Sequence, residues 1–379
     1  MKNKPKIFVD AHCFDGIYQG SRTFLKGLYS SFPADKADIF LGARDTARLR
    51  REFPAIPSER FIRYTHDSTL IRLLWEIPAL IDQYHIDYAH FQYVAPLCKR
   101  CAYIVTTHDL LFKDFKQAFP LYYRLLRGPV FRYSLKHAEV KTTPSRYSRE
   151  RMIFHYGLPR DSIQIIPNGV DECFFSAAGA TSVASNDLKR RFGLGSFILC
   201  VSRIEPRKNQ ELLLRTYLEL ELYKQGLSLV FIGEDALRAG RFRRLLSRLD
   251  PAIRPFVLHL RQVSGQDMMA FYRAARIMVY PSLAEGFGIP PLEAAAMKTP
   301  VLCAYGTALA ELGFPDKYLF DPAAENSLRE KMAALLEKLP SEEYLEDIAL
   351  KIREKYRWRY AADMLAKCLE ARTSVPEPG

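Results

Sequence analysis

Two carboxylates, Glu285 and Glu293, bracket a glycine loop in the stretch YPSLAEGFGIPPLEAAAMKTPV, residues 280–301. Gly286 and Gly288 flank Phe287, and glycine lets backbone N–H groups approach a ligand with no side chain in the way. Pro290 and Pro291 stand where proline suits a first helical turn, and LEAAAM continues as a strong helix former. A glycine loop running into a helix N-terminus gathers unpaired N–H groups and the positive end of the helix dipole, so it cradles an anion such as phosphate. Carboxylates repel phosphate. Beside such a cradle they suit sugar hydroxyls, which a nucleotide diphosphate sugar carries at both ends. Taken alone, Glu293 reads equally well as an acidic residue complementing the dipole of the first turn.

A second group lies in VSRIEPRKNQELL, residues 201–213, where Arg203 and Lys208 leave a strand-like run and Asn209, or the charges before it, marks the start of a helix. Two cations at the carboxyl end of a strand would neutralise a diphosphate leaving group; a solvated charge run is the bland reading. His108 closes the strand-like run AYIVTTHD. A lone histidine at such a place is more often structural than catalytic.

These residues need strand ends to hold them, and the chain supplies them. β-rich runs (KIFVDAH, DIFLGA, FIRYTH, DYAHFQYV, AYIVTTHD, EVKTTP, IQIIPNGV) alternate with amphipathic ones such as SRTFLKGLYSSF, STLIRLLWEIPALIDQY and SRYSRERMIFHYG. The second half repeats the plan with FILCVSRI, LSLVFIGE, FVLHL, RIMVYPS and TPVLCAY, and with helices expected near 207–223, 236–249, 264–274 and 290–297. Such alternation predicts an α/β chain of two doubly wound, Rossmann-like domains, with ligands taken at the carboxyl strand ends in a cleft between them. The length of 379 residues suits two domains. The small, polar stretch AAGATSVASND, residues 177–187, reads as the linker, giving an N-terminal domain over 1–176 and a C-terminal domain over 188–354. From about residue 341 the chain reads as helical; a helix over 355–374 is expected to pack back on the first domain, and the tail TSVPEPG to fray.

Composition narrows the function classes. With 48% hydrophobic and 26% charged residues the chain is globular rather than disordered. No apolar run reaches membrane-spanning length and no h-region follows the basic start, so a cytoplasmic protein is expected. Seven scattered cysteines read as reduced core thiols, and the CxxC pair Cys98 and Cys101 lacks the partners of a zinc site. Residues 1–170 carry 26 Lys plus Arg against 16 Asp plus Glu, whereas residues 171–379 carry 29 against 27, so the net charge of +12 belongs mostly to the first half. An anionic partner for that half is the consequence: nucleic acid, an acidic polymer or a membrane surface, with plain solubility as the simpler account. YYRLLRGPVFRYSLKHAEVK sets Arg124, Arg127, Arg132, Lys136 and Lys141 among aromatic residues, as a peripheral membrane surface or an ordinary amphipathic crossover helix would. No G-x-G-x-x-G follows a strand, which argues against a nicotinamide dehydrogenase. No zinc, homeodomain or RNP signature supports a nucleic-acid binder. A sugar-nucleotide epimerase or a phosphorylase of the same two-domain plan stays open. No D-x-D triplet is present, so no metal is expected to bridge a diphosphate.

The segments TTHD, SIQIIPNGVD, SRIEPRKN and E-GFGIPPL-E, in this order, resemble the retaining glycosyltransferases of family 4, which have the GT-B fold. The resemblance runs from the first strand to about residue 322 and is clearer in the second half. It implies a metal-independent hexosyltransferase that uses a nucleotide sugar, of UDP-glucose or GDP-mannose type with a lean to the former. The implied acceptor is a glycan or a lipid-linked saccharide in polysaccharide biosynthesis. By the same resemblance Arg203 and Lys208 hold the diphosphate, and Glu285 with the N–H groups of Gly286, Phe287, Gly288 and Ile289 holds the hexose and phosphate. Glu293 holds the ribose, and His108 stands beside the transferred sugar. QGSRTFLKGL resembles the family's N-terminal glycine loop, with Gly20 facing diphosphate or acceptor, and HLRQVSGQD the loop against the base, with Val263 in its usual place and Arg261 where a glycine is common.

Overall fold

The computed structural model describes residues 4–16, 20–176, 181–236, 239–324 and 326–373. The chain divides into two compact units, residues 1–169 with 356–379, and residues 170–355.

The N-terminal unit is built on seven strands: β1 (Lys6–Asp10), β2 (Asp38–Ala43), β3 (Phe61–Arg63), β4 (Tyr88–Gln92), β5 (Ala102–Thr106), β6 (Val140–Thr143) and β7 (Ile163–Ile165). They form one sheet in the order β3-β2-β1-β4-β5-β6-β7, parallel at every pairing. Alternation across the strands divides the core. Ile7, Val9, Leu41, Ile104 and Val140 face one layer, and Phe8, Phe40, Phe91, Tyr103 and Val105 the other. Both faces are covered, which is why the strands read as near-continuous apolar runs.

The first face is covered by the helix Gly20–Ser30 and by the last helix, Trp358–Thr373, whose Ala361, Ala362, Leu365 and Leu369 are buried in the same cluster. Trp358 lies so close to Gly27 and Gly169 that a Cβ at either position would overlap it. The second face carries the helices Ile77–Tyr84, Leu121–His137 and Arg146–Tyr156. Gly157 ends the last of these in the left-handed region, at φ 63°, its N–H bonded to the carbonyl of Ile153.

The C-terminal unit has six strands: β8 (Phe197–Val201), β9 (Ser228–Ile232), β10 (Val257–Leu260), β11 (Ile277–Tyr280), β12 (Val301–Ala304) and β13 (Leu319–Phe320). Their order is β10-β9-β8-β11-β12-β13, again parallel throughout. The two-residue β13 had no sequence signal of its own. Helices Gln210–Glu219, Gly240–Ser247, Gly265–Ala274 and Ile289–Ala296 occupy the expected crossovers, the first shorter than the 207–223 expected because Pro206–Lys208 form a separate 3₁₀ turn.

Two expectations need amending. The stretch 177–187 is not a structureless linker: residues 181–187 open the helix Thr181–Phe192, residues 177–180 lie outside the described residues, and the units divide at Gly169 and Val170. Small polar composition concealed a helix whose Leu188 is buried. The cysteines are all free, but only Cys200 and Cys303 are buried, while Cys98 and Cys173 are exposed. The tail after Thr373 lies outside the described residues. No described helix is long and apolar enough to cross a membrane.

Candidate active site

In the C-terminal unit, β8 and β11 are neighbours although β9 and β10 lie between them in sequence. Their onward connections diverge, β8 towards β9 and β11 towards β12. This is a topological switch point, and open α/β sheets bind ligands in the crevice outside the carboxyl ends of such a pair. The segments leaving those two ends are SRIEPRKN and PSLAEGFG.

The first segment turns through Pro206–Lys208 and Asn209 (φ 55°) into the helix Gln210–Glu219. Asn209 occupies the N-cap position but its side chain makes no cap. Gln210 Nε2 instead pins the loop, donating to Ser202 Oγ at 2.8 Å and to the Arg203 carbonyl at 2.7 Å. The second segment is tied to the first by the Leu283 N–H, which donates to the Arg207 carbonyl at 2.9 Å. It enters the helix Ile289–Ala296 through Gly288 at φ 115°, where a Cβ would come within 2.6 Å of Leu309 Cδ2. Glycine is required here on both counts.

Glu285 is the hub. Its Oε1 accepts from Lys208 Nζ at 2.5 Å and from Tyr280 Oη at 2.9 Å, and its Oε2 accepts from Arg207 Nη1 at 3.1 Å. Its own N–H donates to Thr307 Oγ1 at 2.9 Å. Arg207 also holds Glu205 Oε1, at 2.5 Å, and the Ala284 carbonyl. Glu285 is 7% exposed. Burial would raise its pKa, but the charges of Lys208 and Arg207, with hydrogen bonds from Lys208 and Ser282, outweigh burial and hold it at about 2. Burial lowers the pKa of Lys208, a shift the Glu285 carboxylate opposes. The result is a fixed, ionised carboxylate beside a buried ammonium, able to take hydrogen bonds from hydroxyls and give them to an anion.

Glu293 is set differently. It accepts from Tyr272 Oη at 2.8 Å; burial raises its pKa to about 7, the Tyr272 bond opposing and nearby Asp171 reinforcing the shift. Near neutrality it both donates and accepts. Val263, half-buried, lies just beyond β10 beside Ser264, the N-cap of Gly265–Ala274. Arg261 reaches across to Asp235 Oδ2 at 3.0 Å.

In the N-terminal unit the switch point is β1 against β4. Asp10 ends β1, buried, accepting a hydrogen bond from Tyr64 Oη at 2.9 Å, with His12 Nδ1 3.0 Å from its other oxygen. Burial would raise its pKa, yet His12, Arg72 and Tyr64 bring it to about 2. Beyond β5, His108 Nε2 meets Gln92 Oε1 at 3.0 Å, and its ring sits edge-on to Phe24 (4.8 Å between centroids) and Tyr93 (5.5 Å). Burial pushes its pKa down to about 4, so the imidazole is neutral at pH 7. Beneath it, His90 bridges Tyr29 Oη and Thr106 Oγ1 at 2.5 and 2.7 Å. Gly20 is the exposed first residue of its helix, with open space where a Cβ would stand. Two residues on, Arg22 turns inward and donates to the carbonyls of Cys13, Phe14 and Gly16, so it organises the loop instead of lining it.

Of the residues singled out by sequence, Lys208 and Glu285 meet directly, with Gly286, Phe287 and Gly288 buried beside them and Ile289 half-buried. Arg203 does not join them: it is exposed, and its side chain meets none of these carboxylates among the described residues. Arg207 takes the inner position, because the turn at Pro206–Lys208 directs it back towards Ala284. Sequence reasoning passed over Arg207, Tyr280, Thr307, Gln92 and Tyr93. One signal marks two of them only in three dimensions: Tyr93 and Thr307 are among the six non-glycine residues with positive φ in the described chain, as is Asn209.

The sequence pattern of the family "Glycosyltransferase Family 4" matches residues 20–173, and that of "Glycosyl transferases group 1" matches residues 190–352. The chain is 25% identical to O-antigen chain mannosyltransferase B of Escherichia coli over 347 residues, covering 87% of this chain and 88% of that protein. It is 30% identical over 189 residues to a GDP-mannose-dependent alpha-(1-6)-phosphatidylinositol monomannoside mannosyltransferase of Mycolicibacterium smegmatis, covering 46% of this chain and 47% of that one. In fold it is similar to a glycosyltransferase from Rickettsia africae, with TM-score 0.76 at 16% identity over 98% of this chain and 100% of that chain. It is also similar to HepE of Anabaena in complex with UDP and glucose, with TM-score 0.75 at 16% identity over 97% and 100%. The doubly wound halves, the strand-end motifs and these likenesses agree: the chain belongs to the family 4-like glycosyltransferases and has their GT-B fold.

Proposed function

We propose that this glycosyltransferase moves a hexose, with retention of anomeric configuration and without a metal, from a nucleotide diphosphate sugar to a glycan or lipid-linked acceptor at an anionic membrane face. The relatives named for mannosyl transfer favour GDP-mannose as donor over the UDP-glucose that sequence alone suggested. The observation that carries the reading is Glu285, held ionised between Lys208, Arg207 and Tyr280 at the β8–β11 switch point.

In this reading Lys208 and the exposed Arg203 grip the diphosphate, helped by backbone N–H groups around Gly288 and the positive end of the helix Ile289–Ala296. Glu285 accepts from hexose hydroxyls and Glu293 from ribose hydroxyls. Val263 packs against the base. The acceptor hydroxyl oxygen bonds to the anomeric carbon as the bond from that carbon to the phosphate oxygen breaks, and the hydroxyl proton passes to the departing phosphate. No side chain acts as base. The cations stabilise charge as it grows on the leaving group. His108, neutral at pH 7, and Gly20 serve the sugar and acceptor side.

The test is thermal shift against GDP-mannose, UDP-glucose and an ADP-sugar, followed by transfer assays with Glu285→Ala. GDP-mannose should raise the melting temperature most, and the variant should lose transfer. A fully active Glu285→Ala enzyme would end this assignment.

A further inference from the structure

Large apolar side chains left in water concentrate on one layer of the N-terminal unit. The segment Thr69–Tyr84, between β3 and β4, exposes Leu70, Ile71 and Trp75, the last at 65%. The helix Leu121–His137, between β5 and β6, exposes Leu121, Leu125 and Leu126, the last at 67%. Both pack their inner sides on the same core cluster, through Leu73 and Leu80 in one and Tyr123, Phe131 and Leu135 in the other. No helix separates them, since β4 joins β5 directly, and that connection leans on the second helix through Ala95 N–H to Ser134 Oγ and Tyr133 Oη to the Leu97 carbonyl.

Spacing makes this a surface rather than a scatter. Leu121 and Leu125 stand one turn apart, and the exposed Leu126 flanks them on the side turned away from the buried Phe131 and Leu135. Further along the same outward side come Arg132 and Lys136, both exposed. The helix carries Arg124, Arg127, Arg132 and Lys136 and no acidic residue. A stripe that is apolar over its first turns and purely cationic beyond them is complementary to acyl chains bordered by anionic headgroups. Crossover helices run against the strands they cover, so the apolar ends of both lie towards the carboxyl edge of the sheet, the edge that carries His108.

We propose that these two segments form the face by which the enzyme rests on an anionic lipid bilayer, with Trp75, Leu125 and Leu126 entering the interface and Arg132 and Lys136 meeting headgroups. The proposal deepens the reading of a membrane-borne acceptor and rests on it, yet it is measured without donor or acceptor, so loss of transfer and loss of docking are separable.

The experiment is co-sedimentation of the full chain with vesicles of phosphatidylcholine and phosphatidylglycerol, and with phosphatidylcholine alone, at low and high salt. Binding should require the anionic lipid and weaken with salt. Leu125→Ser with Leu126→Ser should lower partitioning at least about tenfold. Arg132→Glu with Lys136→Glu should lower it by a similar or larger factor, about fivefold for each charge removed. Leu350→Ser, at an exposed leucine of the other unit, should bind as wild type. Thermal melts certify folding of each variant. Absence of binding at low salt, or equal binding by all variants, overturns the proposal. So does a concentration-dependent dimer in light scattering that the leucine pair abolishes, since a second copy would then own the face.

Discussion

The carboxyl strand ends beyond β8 and β11 in one unit, and beyond β5, two strands from the ionised Asp10 of the β1–β4 switch point, in the other, are furnished in opposite ways. Beyond β8 and β11 the chain gathers full charges: Glu285 and Glu205 against Lys208 and Arg207. Beyond β5 it sets a neutral imidazole among rings, with Gln92 as its polar neighbour. An ion-paired edge suits a ligand that arrives charged and departs with more charge. A neutral, aromatic edge suits hydroxyls and sugar faces. The shared fold therefore divides labour by side chain, not by backbone.

That contrast can be broken most severely at Glu285. Glu285→Gln should cut kcat/KM by about a thousandfold, since the carboxylate is asked to act on the transition state through a preorganised site. Steady-state assays check this, and a loss under tenfold contradicts it. Arg203 and Arg207 sharpen the picture because one is exposed and the other is packed. Arg203→Ala should reduce transfer by one to two orders of magnitude, roughly, with the melting point unchanged. Arg207→Ala, which leaves the buried Glu285 and the half-buried Glu205 each with one fewer partner, should also lower stability by about 3 kcal/mol. Equal melts for the two variants would refute the distinction.

On the neutral edge, His108→Ala should cost about tenfold to a hundredfold in kcat. Because folded His108 titrates near 4 while unfolded histidine titrates near 6.5, its neutral form contributes stability present above pH 6.5 and lost as pH falls towards 4. The variant should flatten that acid limb. Glu293 runs the other way: with a folded pKa near 7, its contribution is complete below about 4.5 and is lost as pH rises through 7. Relative to Glu293→Gln, the wild type should lose roughly 3 kcal/mol across that window in denaturant titrations. The smallest effect on stability belongs to Gly20→Ala, whose Cβ meets open space among the described residues: the melting point should move by under about 2 °C while activity falls.

Much of this was legible beforehand, for a physical reason. Parallel strands buried on both faces write themselves as apolar runs, so FILCV and IMVY located β8 and β11. Gly288 was legible because its φ of 115° admits little else. The partner of Glu285 was only half visible. Lys208 was identified, but which arginine turns inward depends on a 3₁₀ turn and a left-handed Asn209 that spacing does not encode. The residues around His108 come from β4, β5 and a helix far apart in sequence, so no local motif announces them. β13 escaped notice because two residues carry no period.

The last helix has a consequence for the order in which the protein matures on the ribosome. The first unit needs Trp358, wedged against Gly27 and Gly169, and the alanines that follow, so its interior stays open until the codons for Trp358 to Leu369 are read. Residues 170–355, by contrast, are contiguous and can condense first. Nascent chains usually consolidate from their beginning. Here residues 1–169 should wait for the helix Trp358–Thr373.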